Sequence, residues 1–323
     1  MEKFKLDSVN QYTDYQEMLE KEKPELVAIA TESGKHAAIA LDCIKKGCNL
    51  IIEKPIALSM EDATAIVDAG RKKGVVVCAN HQNRFNRSIQ KIRDAIEKGR
   101  FGKMFYGTAH IRWCRDWNYY SQAKWRGTWE QDGGALMNQC IHNIDLLRWM
   151  LGNEIESVMG MTDRLNHDYI EAEDLGIALI KFKNGSYGIV EGTTNVYPKN
   201  LEETLYLFGE KGTIKAGGAS VNRIEEWNFS DSIDDPEQVK AETAENPPNV
   251  YGFGHTPLYA DVIDAINNHR DPYVTGEDGK RALELVLAIY KSAAERQPVK
   301  LPLETCSTMD FKDRFGERKT ENK

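Results

Sequence analysis

The residue most suggestive of chemistry is a lysine that directly follows a short apolar run, in Glu53-Lys54-Pro55. The run before it, Asn49-Leu50-Ile51-Ile52, has the composition of a strand buried on both faces. Ligands of open α/β sheets bind outside the carboxyl ends of the strands. An amine placed there exchanges protons with a substrate when its pKa is lowered. A lone lysine in such a loop is more often an ordinary surface residue, so the case for Lys54 depends on its neighbours.

Polar side chains also follow the two neighbouring apolar runs. Ala30-Thr31-Glu32-Ser33-Gly34 comes after one run, with His36 on the first turn of the next helix. Asn80-His81-Gln82-Asn83-Arg84 comes after the other run. Three successive strand ends therefore present amide, hydroxyl, imidazole and basic groups along one edge. Because buried polar groups without partners are rare, this edge is predicted to bind a polar ligand.

A second candidate lies in residues 132–149, where polar residues recur at helical spacing. If this stretch is helical, Asn138, His142 and Asp145 lie on one face, four and three residues apart. A histidine between an amide and a carboxylate has its tautomer fixed, which suits a general acid or base. A core histidine satisfied by its neighbours explains the same pattern equally well.

Arginines alternate with aromatic residues at 111–120 and again at 124–127. These two stretches include Arg112, Tyr120, Trp125 and Arg126. Guanidinium groups bind diphosphates and aromatic rings stack on bases and sugars, so the composition suits a sugar nucleotide. An amphipathic strand beside a core is the alternative interpretation.

Two kinds of periodicity divide the chain. Residues 24–79 alternate apolar strands, at 26–30, 49–52 and 75–79, with a helix at 36–46 and another that begins after an N-cap at Ser59. This βαβαβ order predicts a parallel sheet with right-handed crossovers. From 154 to 228, polar and apolar residues alternate between turn signals such as Asn184-Gly185 and Glu210-Lys211-Gly212. That pattern predicts a large, mostly antiparallel sheet with helices on one face.

Further helices are predicted at 89–98, 142–151, 256–268 and 278–296, where apolar residues form single stripes. Residues 231–250 are rich in Asp, Glu, Asn and Pro and indicate an exposed loop. The polar tail that begins at Ser307 is predicted to fray.

The composition restricts the partners. The 323 residues include 42 basic and 50 acidic ones, a formal net charge of −8, without a long basic run, so nucleic acids and anionic membranes are poor candidates. No apolar run approaches about 20 residues, and the N-terminus has no signal-peptide core. Six scattered cysteines fit a reducing cytoplasm. Cys140 and His142 lie two residues apart without a second ligand pair, so no metal site is predicted.

Together these stretches resemble the Gfo/Idh/MocA oxidoreductase family. ATESGKH at 30–36 is similar to the family's cofactor-side loop, EKP at 53–55 to its hallmark, and GGALMNQCIHNIDLLRWMLG at 133–152 to its substrate-side helix. The resemblance implies hydride transfer between a sugar carbon and the nicotinamide of NAD or NADP. It also implies that Lys54 is the proton-transfer group, that His142 is a second acid, base or orienting group, and that the Lys54-Pro55 bond is cis.

The same resemblance implies the binding residues. Those expected to bind the cofactor are Thr31, Ser33, His36, Glu53, Lys54, Pro55, Gln82, Trp125 and Arg126. Those expected to bind the substrate are Arg84, Arg112, Tyr120, Asn138, His142 and Asn195.

Within the family, WRGTW at 125–129 and EGTTNVYPKNLEETL at 191–205 are similar to UDP-N-acetylglucosamine and UDP-N-acetylglucosaminuronate 3-dehydrogenases. Many relatives have Asp at the position of Asn138, whose amide orients a substrate but cannot act as a base. The expected substrate is therefore a UDP-N-acetylhexosamine or its uronate, oxidised at C3. Another sugar or inositol dehydrogenase activity is one alternative, and a truncated, non-catalytic sugar-binding or assembly subunit is the other.

The family's first strand, Gly-rich turn and second strand have no counterpart in the sequence. The fold class is therefore expected to be α/β, with an incomplete Rossmann-like parallel-sheet domain at 1–82. An α/β domain with a large, mostly antiparallel open sheet is expected at 83–306, followed by the tail at 307–323. The cofactor phosphates would then lack a helix N-terminus and the strand at 26–30 would have an unpaired edge, so weak NAD(P) binding is expected.

The open sheet is also expected to join subunits into a dimer or tetramer. It carries apolar side chains that would otherwise form a large exposed patch, namely Ile177, Leu179, Val190, Leu205 and Leu207. Sequence alone does not assign these five to one face.

Overall fold

The computed structural model describes residues 8–245, 252–316 and 318. The predicted loop at 231–250 lies partly outside this range, as does the start of the N-terminal segment. None of the helices in the described part of the chain combines the length and apolar character needed to cross a bilayer.

A three-stranded parallel sheet forms the first layer, in the order β1-β2-β3. Its strands are β1 (Leu26–Ile29), β2 (Asn49–Ile52) and β3 (Val77–Ala79), and they alternate with α2 (His36–Lys46) and α3 (Met60–Lys73), after α1 (Tyr15–Glu22). Gly47, at φ 87°, ends α2, and the Ser59 side chain accepts from the Asp62 N–H to begin α3. The predicted βαβαβ unit is confirmed, and β1 pairs only with β2 among the described residues.

Both faces of this sheet are covered, as the continuous apolar runs predict. Leu50 and Ile52 pack in the main core beside α2 and α3, whereas Ile51 points to the other side. There it meets Leu258 and Val262 of α8 (His255–Asn268). Helices from the second half of the chain therefore complete the first layer, and the boundary at residue 82 stays a prediction.

The second layer is an eight-stranded sheet in the order β10-β9-β8-β4-β7-β6-β5-β11. Its strands are β4 (Met104–Arg112), β5 (Ile155–Asp163), β6 (Leu175–Phe182), β7 (Tyr187–Thr193), β8 (Glu202–Gly209), β9 (Gly212–Gly217), β10 (Arg223–Phe229) and β11 (Val299–Lys300). Every pair is antiparallel except β4 with β7. The mostly antiparallel sheet is confirmed, with β4 and β11 added from outside 154–228.

Helices lie on one face of the large sheet. They are α6 (Ile141–Leu151) and α9 (Gly276–Glu295), while α4 (Arg87–Glu97), α5 (Trp117–Tyr120) and α7 (Pro236–Thr243) lie around its edges. Val190, Leu205 and Leu207 are buried on the covered face, so the expectation that they lie on the open face is wrong. Ile177 and Leu179, 47% and 58% exposed, do lie there, because side chains alternate along each strand.

The segment after Ser307 is ordered rather than frayed up to residue 316. Ser307 caps a short 3₁₀ turn at Thr308–Phe311, and the Thr308 hydroxyl donates to the Trp129 carbonyl over 2.6 Å. Phe311 packs against the Trp129 ring. The predicted frayed tail is wrong here because two aromatic side chains, Phe311 and Phe315, anchor an otherwise polar segment to Trp129.

Candidate active site

A cleft of about 350 Å³ lies where the carboxyl ends of β1, β2 and β3 face the helical layer of the large sheet. The strand-end residues that line it are Thr31, Ser33, His36, Glu53, Lys54, Gln82 and Asn83. The opposite wall consists of Trp113, Arg115, Tyr119, Trp125, Arg126, Asn138, Gln139, His142 and Glu203, and His255 also contributes. The structure therefore brings the three polar stretches together at the predicted edge.

Lys54 reaches across the cleft to the opposite wall. Its Nζ donates to the backbone carbonyl of Asn138 over 2.6 Å and lies 3.4 Å from the Asn138 side-chain oxygen. Burial lowers the pKa of Lys54, although the charges of Glu53 and Asp132 oppose the shift. The cis Lys54-Pro55 bond is confirmed. The amine is thus fixed at one point of the cleft and loses its proton more readily than a surface lysine.

Asn138 belongs to a π-helical turn at Leu136–Cys140 that leads into α6. Its amide NH₂ donates to the carboxylate of Asp132, whose other oxygen accepts from the Gly127 N–H over 2.7 Å. Burial raises the pKa of Asp132 to about 6. These contacts orient the Asn138 amide oxygen towards Lys54, where it also accepts from Gln139 over 2.7 Å.

Two arginines stack on aromatic rings in the wall. The Arg126 guanidinium lies 4.3 Å from the Tyr119 ring centroid and 4.8 Å from that of Trp125. Arg115 lies 4.9 Å from the Trp113 ring centroid. The Nε atoms of both arginines are buried without a hydrogen-bond partner. Because such donors are normally satisfied, they mark this wall as a place for an oxygen-rich, anionic ligand.

His142 and His36 are the imidazoles of interest. The His142 Nδ1 is buried without a partner, and burial holds the pKa of His142 well below its usual range, as does nearby His81. The expected orienting contact with Asp145 is wrong, because the Asp145 oxygens are occupied by two arginines. His36 lies 2.8 Å from the carbonyl of Pro55 and 3.1 Å from that of Thr31, so it ties both strand-end loops together.

Four residues expected to bind substrate are not in the cleft lining. Arg84 is 1% exposed and pairs with Asp145 and Asp278. Arg112 pairs with Glu191 and Glu202, the Tyr120 hydroxyl meets Thr194, and Asn195 donates to Asp174. These side chains have partners within the fold, which sequence reasoning could not assign.

Other lining residues were not predicted. Arg115 and Tyr119 stand in the recognised arginine–aromatic stretch, so a signal for them existed. Glu203 is one of two consecutive glutamates on β8, and strand alternation requires one of the two to face the helices. Trp113 stands in the same arginine–aromatic stretch, Asn83 in the strand-end stretch at 80–84 and Gln139 in the stretch at 132–149, whereas His255 carried no comparable signal. Among the described residues, no three His, Cys, Asp or Glu side chains are grouped to hold a metal ion.

Two family models match the chain. The one described as "Oxidoreductase family, NAD-binding Rossmann fold" matches residues 2–81. The one described as "Oxidoreductase family, C-terminal alpha/beta domain" matches residues 93–301. The chain belongs to the Gfo/Idh/MocA oxidoreductase family. The predicted nicotinamide-dependent oxidoreductase class, its cofactor and the fold class are confirmed by these matches.

Similar proteins act on different substrates. The WlbA dehydrogenase of Bordetella pertussis, solved with NADH and UDP-GlcNAcA, is 38% identical, with a TM-score of 0.85 over 92% of this chain and 85% of its own. The WlbA dehydrogenase of Chromobacterium violaceum, solved with the same ligands, is 34% identical, with a TM-score of 0.84 over 92% and 83%. Myo-inositol 2-dehydrogenase of Thermotoga maritima is 25% identical over 93% of this chain and 86% of its own.

The strand-end residues fit the nicotinamide half of the cofactor. Gln82 has a buried side-chain oxygen without a partner at the end of β3, where a carboxamide N–H could pair with it. Thr31 and Ser33 add hydroxyl groups beside it. We expect these three residues, together with Glu53, to hold that half of the molecule.

Proposed function

We propose that this chain transfers hydride between C3 of the sugar in a UDP-N-acetylhexosamine, or its uronate, and a nicotinamide cofactor. The observation that carries the proposal is the half-buried Lys54 amine, held by the Asn138 carbonyl in a cleft whose other wall is cationic and aromatic. The identity of 34–38% to two WlbA dehydrogenases supports this substrate class over the other sugars of the family.

Lys54 moves the proton in this proposal. When bound, the cofactor supplies the hydride acceptor at its nicotinamide ring. The lowered pKa favours the neutral form of the amine, which takes the proton of the sugar hydroxyl as the hydride leaves its carbon. His142, which is neutral because of its burial, orients the sugar or relays the proton as a second group.

The opposite wall binds the nucleotide part in the same proposal. Arg115 and Arg126 offer the unpaired Nε–H groups to the diphosphate. Trp113 and Trp125 supply flat apolar surfaces for the sugar or the base. Together these groups favour an anionic sugar nucleotide over a neutral free sugar.

A substrate panel tests the proposal. Purified protein is given NAD⁺ or NADP⁺ with UDP-GlcNAcA, UDP-GlcNAc, myo-inositol or glucose, and the reduced cofactor is followed by its absorbance. Because weak NAD(P) binding is expected, turnover of a UDP sugar should need a high cofactor concentration, with the free sugars at least tenfold less efficient. Preference for myo-inositol or glucose would instead support the other family activities. Sugar binding without turnover on any substrate would support the non-catalytic subunit.

We also propose that the open sheet face joins two copies of the chain. Phe105, Tyr106, Leu179 and Tyr187 line an apolar groove of about 580 Å³ on that face, and exposed apolar patches of this kind are usual at interfaces. Light scattering at micromolar concentration should show a dimer or tetramer that Leu179→Lys dissociates. Ile233→Lys, at an exposed site outside the groove, is the control and should not change the mass.

A further inference from the structure

Glu203 is a buried carboxyl group for which the proposed proton transfer has no use. Its side chain is 2% exposed, it lines the cleft, and its Oε2 has no hydrogen-bond partner. It stands on β8 opposite Ile111 of β4 and points towards the helical layer. An unpaired buried polar group destabilises a fold, so its retention at the cleft wall suggests a ligand that pairs with it.

The surroundings keep this carboxyl neutral. Burial raises the pKa of Glu203 to about 8, so at neutral pH it carries an O–H donor. Cys140 of the π-helical turn is close enough to interact electrostatically with Glu203, and His142 and Arg115 line the same cleft. The neighbouring Glu202 points to the opposite face, where it pairs with Arg112.

Glu203 and Lys54 line the cleft from different elements of the fold. The charged groups with the largest effects on the pKa of Lys54 are Glu53, Asp132, Arg126 and Arg115. Lys54 belongs to the end of β2, whereas Glu203 belongs to the large sheet. A sugar ring whose reacting carbon lies at Lys54 would therefore present another substituent to Glu203.

We propose, as an extension that rests on the proposed function, that Glu203 determines specificity by donating a hydrogen bond from its protonated carboxyl to the carboxylate of a uronate sugar. An O–H···O⁻ bond is roughly twice as strong as a neutral one, so a uronate benefits more than a hexosamine with a hydroxymethyl group. Once ionised, Glu203 loses the donor and repels the same carboxylate.

The test compares KM and kcat for UDP-GlcNAcA and UDP-GlcNAc at pH 7 and pH 9, for wild type, Glu203→Gln, Glu203→Leu and the control Glu202→Gln. For wild type, the KM for the uronate rises about tenfold between the two pH values, since only the protonated fraction binds. Glu203→Gln keeps a donor and abolishes this rise. Glu203→Leu raises the KM for the uronate at least tenfold at pH 7, with little effect on the hexosamine or on kcat.

Lys54 titrates in wild type and in Glu203→Gln alike, so dividing the wild-type KM by the KM of Glu203→Gln at each pH removes its effect. The control Glu202→Gln is expected to behave as wild type. Glu203→Leu removes an unpaired carboxyl and is expected to unfold at no lower denaturant concentration. An unchanged uronate KM in Glu203→Leu, or a pH rise that persists in Glu203→Gln, would overturn the role of Glu203 and leave the proposed function intact. Failure of the wild type to turn over either UDP sugar would overturn both.

Discussion

The molecule contains two buried polar clusters that look alike in sequence and differ in how completely they are paired. The arginine cluster consists of Arg84, Arg148, Asp145 and Asp278, and its carboxylates accept from guanidinium groups at 2.7–3.5 Å. The cleft cluster consists of the polar residues around Lys54, where Glu203 Oε2, His142 Nδ1 and the Nε atoms of Arg115 and Arg126 have no partner.

The difference separates groups that hold the fold from groups that await a ligand. The arginine cluster joins the loop after β3, α6 and the start of α9, so its partners come from three elements and it is satisfied, apart from the Arg148 Nε. The cleft cluster is satisfied only in part, which agrees with the proposal that a substrate and a cofactor complete it. The predictions below test this division, beginning with the largest expected effect.

Replacing Lys54 with Met should abolish turnover with little loss of stability. A positioned acid or base contributes about 10²–10⁴-fold to a rate, so kcat should fall about 10³-fold, while the denaturation midpoint stays unchanged. Steady-state kinetics and chemical denaturation measure the two effects. Lys45→Met, at an exposed lysine on α2, is the matched control and should affect neither. Wild-type kcat in Lys54→Met would mean that another group carries the proton.

Replacing Asp145 with Asn should instead lower stability more than it lowers turnover. Removing one partner of a buried ion pair leaves charges uncompensated and costs about 3–5 kcal/mol of unfolding free energy. Glu156→Gln breaks the exposed pair with Lys181 and should cost less than about 1 kcal/mol. Both are measured by denaturant titration. A loss no larger than that of the control would show that the arginine cluster does not hold the fold.

Glu173 should make stability depend on pH. Burial raises its pKa to about 8, above its unfolded value, so the folded state holds the proton more tightly. The contribution of Glu173 to the free energy of unfolding is therefore fully present below about pH 4.5 and is lost as the pH rises through about 8. Glu173→Gln should flatten this dependence and unfold with a free energy several kcal/mol higher than that of wild type at pH 9. Glu203 titrates in the same range, so wild type and variant must be compared at each pH. A parallel dependence in both proteins would contradict the prediction.

Replacing Asn138 with Asp should move the pH–rate profile without abolishing activity. The new carboxylate would lie beside the Lys54 ammonium, 3.4 Å away at the present amide oxygen, and would raise the pKa of the lysine. The rising limb of kcat against pH should move up by about one unit. Gln131→Glu, near the cleft but outside its lining, serves as the charge-matched control. An unshifted profile would mean that the titration of Lys54 does not cause the rise of kcat with pH.

The parallel unit and most site positions could be predicted from sequence, for physical reasons. Lys54, Ser33 and Gln82 each follow an apolar strand, and parallel strands end at the same edge. Helical spacing predicted that Asn138 and His142 share one face, and the family resemblance implied their roles. The π-helical turn at 136–140 could not be predicted, since it depends on tertiary partners such as Glu173, which accepts from the Leu136 N–H.

The expected substrate-binding residues that lie outside the cleft lining have one feature in common. Arg84, Arg112 and Asn195 are polar residues near functional motifs, and sequence shows their type but not which carboxylate pairs with each. Glu203 was missed for the converse reason, because a glutamate in a strand gives no sign that its cleft-facing side lacks a partner.

The central claim is that this cleft moves hydride from C3 of a UDP sugar. UDP-GlcNAcA carrying deuterium only at C3 is incubated with the protein and NAD⁺, and the reduced cofactor is analysed by mass spectrometry. The account predicts NADH that is one mass unit heavier, and none from the Lys54→Met variant under the same conditions. Unlabelled NADH formed from this substrate by the wild-type protein, or NADH formed by Lys54→Met as fast as by wild type, would contradict it.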